Sequence, residues 1–244
     1  MSTDHPSIAL STPRRPEPAD THRTLRLLLA VLIAVAALLV TVPALFDLPG
    51  ALGGPDTDDA NRRLLAEVAA DRSAAYHGRT VVLTYGWGLL AVAAAGLLAL
   101  AGGRGRRLAR IGGCLAAVGC LGGAALFAAY GMVLRVLTDP AVDPGVARTV
   151  LQAEQDTSDL GGGAFGLPYA LFVPLGFLLL AIGLARGRIV PWWAAALLAA
   201  GAIVQGSGVD GVLGAVLALP FCLGLLAVAV LLVRADDDRH VSVG

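Results

Sequence analysis

Hydrophobic residues of this 244-residue chain fall into six long blocks, which shorter polar segments separate. Inside the blocks the apolar residues are continuous, as in Leu27-Leu28-Leu29, and lack the alternation of a membrane barrel strand. Runs of about 17 to 25 apolar residues cross a bilayer as helices, because the backbone must pair with itself where no water is present. The sequence therefore predicts an all-α transmembrane bundle with six spans, at residues 25–46, 81–101, 111–134, 167–185, 189–205 and 212–233.

Two of the six blocks allow a different interpretation. The fifth is short and ends at the polar stretch Gln205 to Gly208, so a five-span chain is an alternative. Pro191 suits a first helical turn and Trp192-Trp193 suits a membrane interface, which favours six spans. The first block is longer than the 7 to 15 apolar residues of a signal peptide, so it is predicted to stay as an uncleaved anchor.

The domain organisation follows from these blocks. Residues 24–234 form one predicted transmembrane domain, with longer loops at 47–80 and 135–166. The proline-containing residues 1–23 are predicted to be a disordered tail, and residues 235–244 form a second tail.

Orientation is predicted from arginine, which supplies all 18 basic residues because the chain has no lysine. Most arginines lie in the two tails and in the short connections at 102–110 and 186–188, whereas the two longer loops carry most of the acids. The positive-inside bias then predicts that both termini are cytoplasmic and that loops 47–80 and 135–166 face outward. The use of arginine with much alanine, leucine and glycine is typical of bacterial high-GC coding, so the predicted location is a bacterial plasma membrane. An alternative role for the arginines of 103–110 is contact with anionic lipid headgroups.

Both outward loops contain a predicted short helix that covers the bundle or, alternatively, acts as a lid. In the first loop, Asp58 and Asp59 precede apolar residues at helical spacing, namely Leu64, Leu65, Val68 and Ala69. In the second, Asp143-Pro144 is typical of an N-cap and first turn, with Val146, Val150 and Ala153 predicted to face the bundle.

Catalytic chemistry has little support in the sequence. No ionisable residue lies in the middle of a span, which disfavours proton-coupled transport and haem ligation by histidine. Gln205-Gly206-Ser207-Gly208 differs from an intramembrane serine protease motif at its first residue, and no later span supplies a histidine base. Cys114, Cys120 and Cys222 lack metal-ligand spacing and are predicted to pack. We therefore predict no catalytic residue, no cofactor and no metal, and a net charge of zero argues against a nucleic-acid partner.

One set of polar and aromatic residues maps to the outward half of the predicted bundle. Its members are Tyr85, Tyr130, Tyr169, Gln205, Asp210, Arg135 and His77. They form either an interfacial aromatic belt or the wall of a shallow outward cavity for a small neutral or amphiphilic ligand.

Small residues are concentrated in the third span, where Gly119 and Gly123 have the spacing that lets helix backbones approach closely. The pair serves packing within the bundle or, alternatively, a homo-oligomer interface.

Leu167-Pro168-Tyr169-Ala170-Leu171-Phe172, Gly176 to Leu180 and the basic turn before Pro191-Trp192 resemble a pattern in bacterial multi-pass membrane proteins of unknown function. The resemblance implies a location in the membrane. The sequence as a whole predicts a non-enzymatic membrane binding or interaction protein, with a carrier of a small neutral or lipid-like molecule as the alternative and a membrane enzyme third.

Overall fold

A computed structural model describes residues 18–45, 73–101, 103–157, 164–206 and 211–241. In these ranges the secondary structure is helical, as predicted. The α-helices are α1 (Pro18–Leu45), α2 (Ser73–Leu100), α3 (Arg106–Leu137), α4 (Pro144–Thr157), α5 (Leu167–Arg186), α6 (Trp192–Gly206) and α7 (Gly211–Val241). Four helical segments are long and apolar enough to cross a membrane, namely Arg23–Pro43, His77–Leu100, Gly103–Leu137 and Ala164–Arg186. Two shorter apolar segments, Trp192–Gln205 and Ala218–Arg234, lie in α6 and α7.

The first and the last helix of the chain extend beyond their apolar blocks. Helix α1 already begins at Pro18, inside the predicted tail, and α7 continues to Val241, past the predicted last span. Proline fits a helix start because the N–H it lacks would have no partner there. A prediction from hydropathy finds the apolar part of a helix. It does not find the polar turns that continue the helix at either end. The helix predicted after Asp58 lies outside the described residues.

Six of the helices form a closed ring in the order α1, α2, α3, α5, α6 and α7, with α7 packed again on α1. Neighbouring helices run in opposite directions, as α1 and α2 show: Gly86 lies against Leu39, and Gly96 lies against Leu29. One end of the ring, here called the basic end, carries the 3-10 turn Gly103–Gly105 and the connection from Gly187 to Pro191. Helix α4 lies at the opposite end, where its buried Ala147 packs with Leu134 and Leu137 of α3.

The predicted cap of α4 is confirmed. One carboxylate oxygen of Asp143 accepts hydrogen bonds from the backbone N–H groups of Gly145, at 2.7 Å, and Val146, at 3.2 Å. The predicted inner face of the helix is wrong, because Ala147 is buried while Val146, Val150 and Ala153 are exposed. The residue that packs on α3 is instead Ala147, which lies against Leu134 and Leu137.

Close backbone contact between α3 and α5 depends on glycine. Gly105, Gly112 and Gly119 recur every seven residues and face α5, where Gly176 and Gly183 have the same spacing. A methyl group added at Gly119 would lie 2.6 Å from the backbone nitrogen of Val173. Such seven-residue spacing keeps the small residues on one stripe, so the two backbones approach along the whole seam.

Many leucines and valines are exposed on the outside of the ring, whereas alanine is mostly buried inside it. Leu28, Val31 and Val92 are each at least 60% exposed, whereas Ala36, Ala93 and Ala116 are fully buried. A water-soluble protein of this size would not expose so much apolar surface. The distribution is that of a protein with an apolar surrounding, in which small residues mediate helix contact.

Aromatic side chains close the axis of the ring. Trp87 of α2, Phe177 of α5 and Phe221 of α7 are buried and come from every second helix around the ring. The ring centroids of Phe177 and Phe221 are 5.2 Å apart, and those of Trp87 and Phe221 are 6.3 Å apart. These side chains therefore join helices whose backbones are not neighbours.

We predict that Gly112→Ala lowers the free energy of unfolding by about 1 to 3 kcal/mol, because the added methyl would meet the backbone of Leu180 and Gly176. Gly88→Ala is the matched control, since no atom lies within 4 Å of the position its methyl would take. Thermal unfolding in detergent should separate the two variants. Equal melting temperatures would contradict the close packing of α3 on α5.

Candidate functional site

The three tyrosines predicted to line one outward cavity do not converge. Tyr85 is 66% exposed, whereas Trp87, two positions along α2, is buried in the axis. Side chains two positions apart on an α-helix point in directions about 200° apart. Because Trp87 points inward, Tyr85 points away from the interior. Its position fits the aromatic-belt interpretation.

Tyr169 lies inside the ring and extends the aromatic cluster. Its ring packs edge-on against Trp87, with centroids 5.0 Å apart, and against Phe127, at 6.3 Å. Its hydroxyl donates a hydrogen bond to the backbone carbonyl of Gln205, at 3.2 Å. The structure thus brings two of the predicted residues, Tyr169 and Gln205, together across the α5–α6 pair.

The other residues of the predicted cavity are dispersed. Tyr130 packs against the Leu134 cluster beneath α4, and Arg135 is exposed. His77 is half-buried, and its backbone carbonyl accepts a hydrogen bond from the Thr80 hydroxyl at 2.9 Å. Asp210 lies outside the described residues.

The predicted glycine pair is internal to the chain. Gly119 faces Val173 of α5, and a methyl group at Gly123 would contact Tyr169 and lie 3.4 Å from the indole of Trp87. Both glycines are buried, so their surfaces are covered within one copy. Of the three cysteines, Cys120 and Cys222 are buried and Cys114 is exposed on the outside of α3.

Buried polar groups inside the ring are few among the described side chains. The indole N–H of Trp87 and the hydroxyl of Thr41 are buried and have no hydrogen-bond partner. A search of the described residues finds no group of three His, Cys, Asp or Glu side chains that could hold a metal ion.

An open cleft of about 790 Å³ lies at the basic end, where two turns meet. It is lined by Gly103, Arg104, Ala185, Arg186, Gly187, Arg188 and Trp192. A methyl group at Gly105 would contact the carbonyl of Gly183 and lie 2.9 Å from the nitrogen of Gly187. The turn before α3 is therefore packed directly on the end of α5, which places arginines from both connections around one space.

Arg188 holds an unusual backbone conformation in this cleft. Helix α5 ends in a Schellman turn, in which the N–H of Arg188 donates to the carbonyl of Ala185 and that of Ile189 donates to Leu184, both at 3.0 Å. Such a turn needs a left-handed residue, which is usually glycine. Here Arg188 has φ of 56°, and it is the one residue other than glycine with a positive φ among the described positions. The left-handed backbone costs a side-chain-bearing residue about 1 to 2 kcal/mol.

This cleft is not evident from the sequence, which assigns Arg186 and Arg188 to orientation and Arg104 to orientation or, alternatively, to contact with lipid headgroups, and does not bring the three together. The seven-residue glycine spacing in the third and fourth spans was the available signal. It pairs the two helices, and the turns at their adjoining ends must then lie side by side.

Comparison of the chain with protein-family models finds no match. Comparison with curated proteins finds none either. Comparison with solved structures also finds none.

We predict that Tyr169→Phe lowers the free energy of unfolding by about 1 kcal/mol, because the Gln205 carbonyl loses its hydroxyl donor. Tyr85→Phe removes the same atom from an exposed side chain and should leave stability unchanged. Melting temperatures of the two variants in the same detergent provide the comparison. A larger loss of stability in Tyr85→Phe than in Tyr169→Phe would contradict the stabilising role of the Tyr169 hydroxyl.

Proposed function

We propose that this protein is a multi-pass protein of the bacterial plasma membrane, with six spans and both termini cytoplasmic, and that it binds a partner or ligand without catalysing a reaction. Four long apolar helices and an apolar outer surface support the location. Helix α6 is the shortest of the ring, at about 22 Å for 15 residues. Its exposed Trp192 and Trp193 suit an interface where the bilayer thins around a short span.

The distribution of arginine supports the orientation. The basic end combines Arg104, Arg106, Arg107 and Arg110 with Arg186 and Arg188, all in the short connections or in the helix ends next to them. At the opposite end, the stretch from Thr138 to Thr157 contains both acids and arginine. The positive-inside bias therefore assigns the basic end to the cytoplasm.

The aromatic side chains packed along the axis of the ring are the observation that favours binding over transport. A carrier needs a polar cavity that reaches the middle of the bilayer between its helices. In this structure Trp87, Phe177 and Phe221 fill that position, and glycine and alanine bring the surrounding helices into contact. The cleft at the basic end is open to solvent and is separated from the opposite end by this packing.

Carriage of a small neutral or lipid-like molecule is the second candidate. The buried indole N–H of Trp87 favours it, because a donor without an acceptor in the interior would gain a hydrogen bond from a polar ligand. Such a carrier would have to open the aromatic cluster during each cycle.

Single-cysteine labelling tests the orientation. With Cys114, Cys120 and Cys222 replaced by alanine, Arg107→Cys and Thr149→Cys each introduce one exposed thiol, at the basic end and on α4. We expect a membrane-impermeant maleimide to label the Thr149→Cys thiol on intact cells and the Arg107→Cys thiol only after lysis. The reverse labelling pattern would show that the protein has the opposite orientation in the membrane.

The native cysteines Cys120 and Cys222 test the solid interior. Both are buried in the ring, so with Cys114→Ala they should resist a water-soluble maleimide from either side of the membrane. The Thr149→Cys thiol serves as the positive control for reagent access. Labelling of Cys120 or Cys222 in the folded protein would support the carrier instead, because it requires water to enter between the helices.

A further inference from the structure

The cleft at the basic end has the charge of an anion site. Its lining contains three guanidinium groups, from Arg104, Arg186 and Arg188, and no acidic residue. Guanidinium binds phosphate oxygens through paired N–H groups, which makes arginine the preferred residue for phosphate. Arg104 lies 82 residues before Arg186 in the sequence, so the fold brings these groups together.

The start of α3 adds a further positive potential. The 3-10 turn Gly103–Gly105 leads into this helix, whose first turn has no acidic residue and whose N-cap, Gly105, provides no side-chain hydrogen bond. The free N–H groups of a helix start favour an anion, and acids normally occupy such positions. No carboxylate occupies them here, so the positive end of the helix is not neutralised by an acidic side chain.

The conformation of Arg188 points to a role beyond folding. Glycine would form the same left-handed turn without strain, and its neighbour Gly187 shows that glycine occurs in this connection. Strained residues of this kind cluster at binding sites. At this position arginine adds a charged side chain to the cleft lining, where glycine would supply the turn alone.

Trp192 identifies the source of the anion. It lines the cleft, is 61% exposed, and starts a helix that also exposes Trp193. Tryptophan at a helix end lies at the depth of the lipid headgroups. A cleft of about 790 Å³ at that depth has room for a lipid headgroup.

We propose that the cleft binds the phosphate of an anionic phospholipid headgroup, with Arg104, Arg186 and Arg188 as its ligands. The proposal deepens the proposed function, on which it rests for the choice of the cytoplasmic leaflet. A bound headgroup would join the α2–α3 turn to the α5–α6 connection and so hold the two halves of the ring together at this end.

Binding is tested on the full-length protein in neutral detergent by following melting temperature and tryptophan fluorescence during titration. The probes are short-chain phosphatidylglycerol, phosphatidylcholine of the same chain length, and inorganic phosphate. We expect phosphatidylglycerol to raise the melting temperature and to saturate, with phosphatidylcholine at least about tenfold weaker because its headgroup has no net charge. Saturation by inorganic phosphate with equal affinity would keep the phosphate site and identify a free anion as its source. No saturable response to either anion would overturn the proposal.

Two substitutions that each remove one positive charge distinguish binding in the cleft from general attraction of lipid to the basic end. Arg188→Gln should weaken phosphatidylglycerol binding about tenfold, as expected for loss of one charge-assisted hydrogen bond. Arg107→Gln removes the same charge from an exposed residue at the same end that does not line the cleft, and should change affinity less than twofold. Equal losses in the two variants would overturn the proposal in favour of surface charge.

Arg188→Gly adds a readout that a purely structural arginine would not produce. Without lipid this variant should melt at a higher temperature than the wild type, because glycine accepts the left-handed backbone. Its additional stabilisation by phosphatidylglycerol should be reduced. Undiminished stabilisation by lipid in this variant would remove Arg188 from the site. The titration is done in detergent and does not depend on orientation in a membrane. The proposed lipid site and the proposed orientation can therefore be contradicted independently.

Discussion

The approach of the α3 and α5 backbones is the contact on which the rest of the structure depends. In a bilayer, the surrounding lipid is as apolar as leucine, so hydrophobic burial does not bring helices together. Close packing of main-chain atoms does so where side chains are absent, and side chains are absent at Gly112 of α3 and at Gly176 and Gly183 of α5, two turns apart. This contact fixes the distance between the two helices from the aromatic cluster to the basic end. Gly201 against Phe221 and Gly224 against Leu198 use the same device between α6 and α7.

Helix positions could be predicted from the sequence to within a few residues for α3, α5 and α6, because the need for internal hydrogen bonds in apolar surroundings is a local property. The cap at Asp143 was local too and was predicted correctly. Orientation about the helix axis was not, as Ala147 shows, because it depends on which neighbour is present and how close it comes. The helix ends at Pro18 and Val241 were missed for a different reason, since polar residues can extend a helix beyond its apolar part.

The same distinction explains the candidate site. Depth along the bundle can be inferred from position in a span, so Tyr85, Tyr130 and Tyr169 were grouped by depth. Whether they share one wall depends on the rotation of three separate helices, and the structure directs Tyr85 outward and Tyr169 inward. Gln205 was identified through its polar side chain, yet the contact with Tyr169 uses its backbone carbonyl, which any residue would supply. Sequence reasoning about side-chain chemistry has no access to such a contact.

The proposed orientation and the proposed anion site place different demands on the geometry of arginine at the basic end. Orientation in the membrane depends on the number of positive charges near the ends of the spans and is indifferent to backbone conformation. By that requirement alone, the charge of Arg188 could stand at any neighbouring position, and glycine could form the turn. The fold instead keeps the charge where the backbone is strained and where Gly105 packs the opposite turn against α5. The proposed orientation does not explain an arginine with a strained backbone, because it needs only the charge. The proposed anion site does explain it, because its ligand lies at a fixed point between two turns.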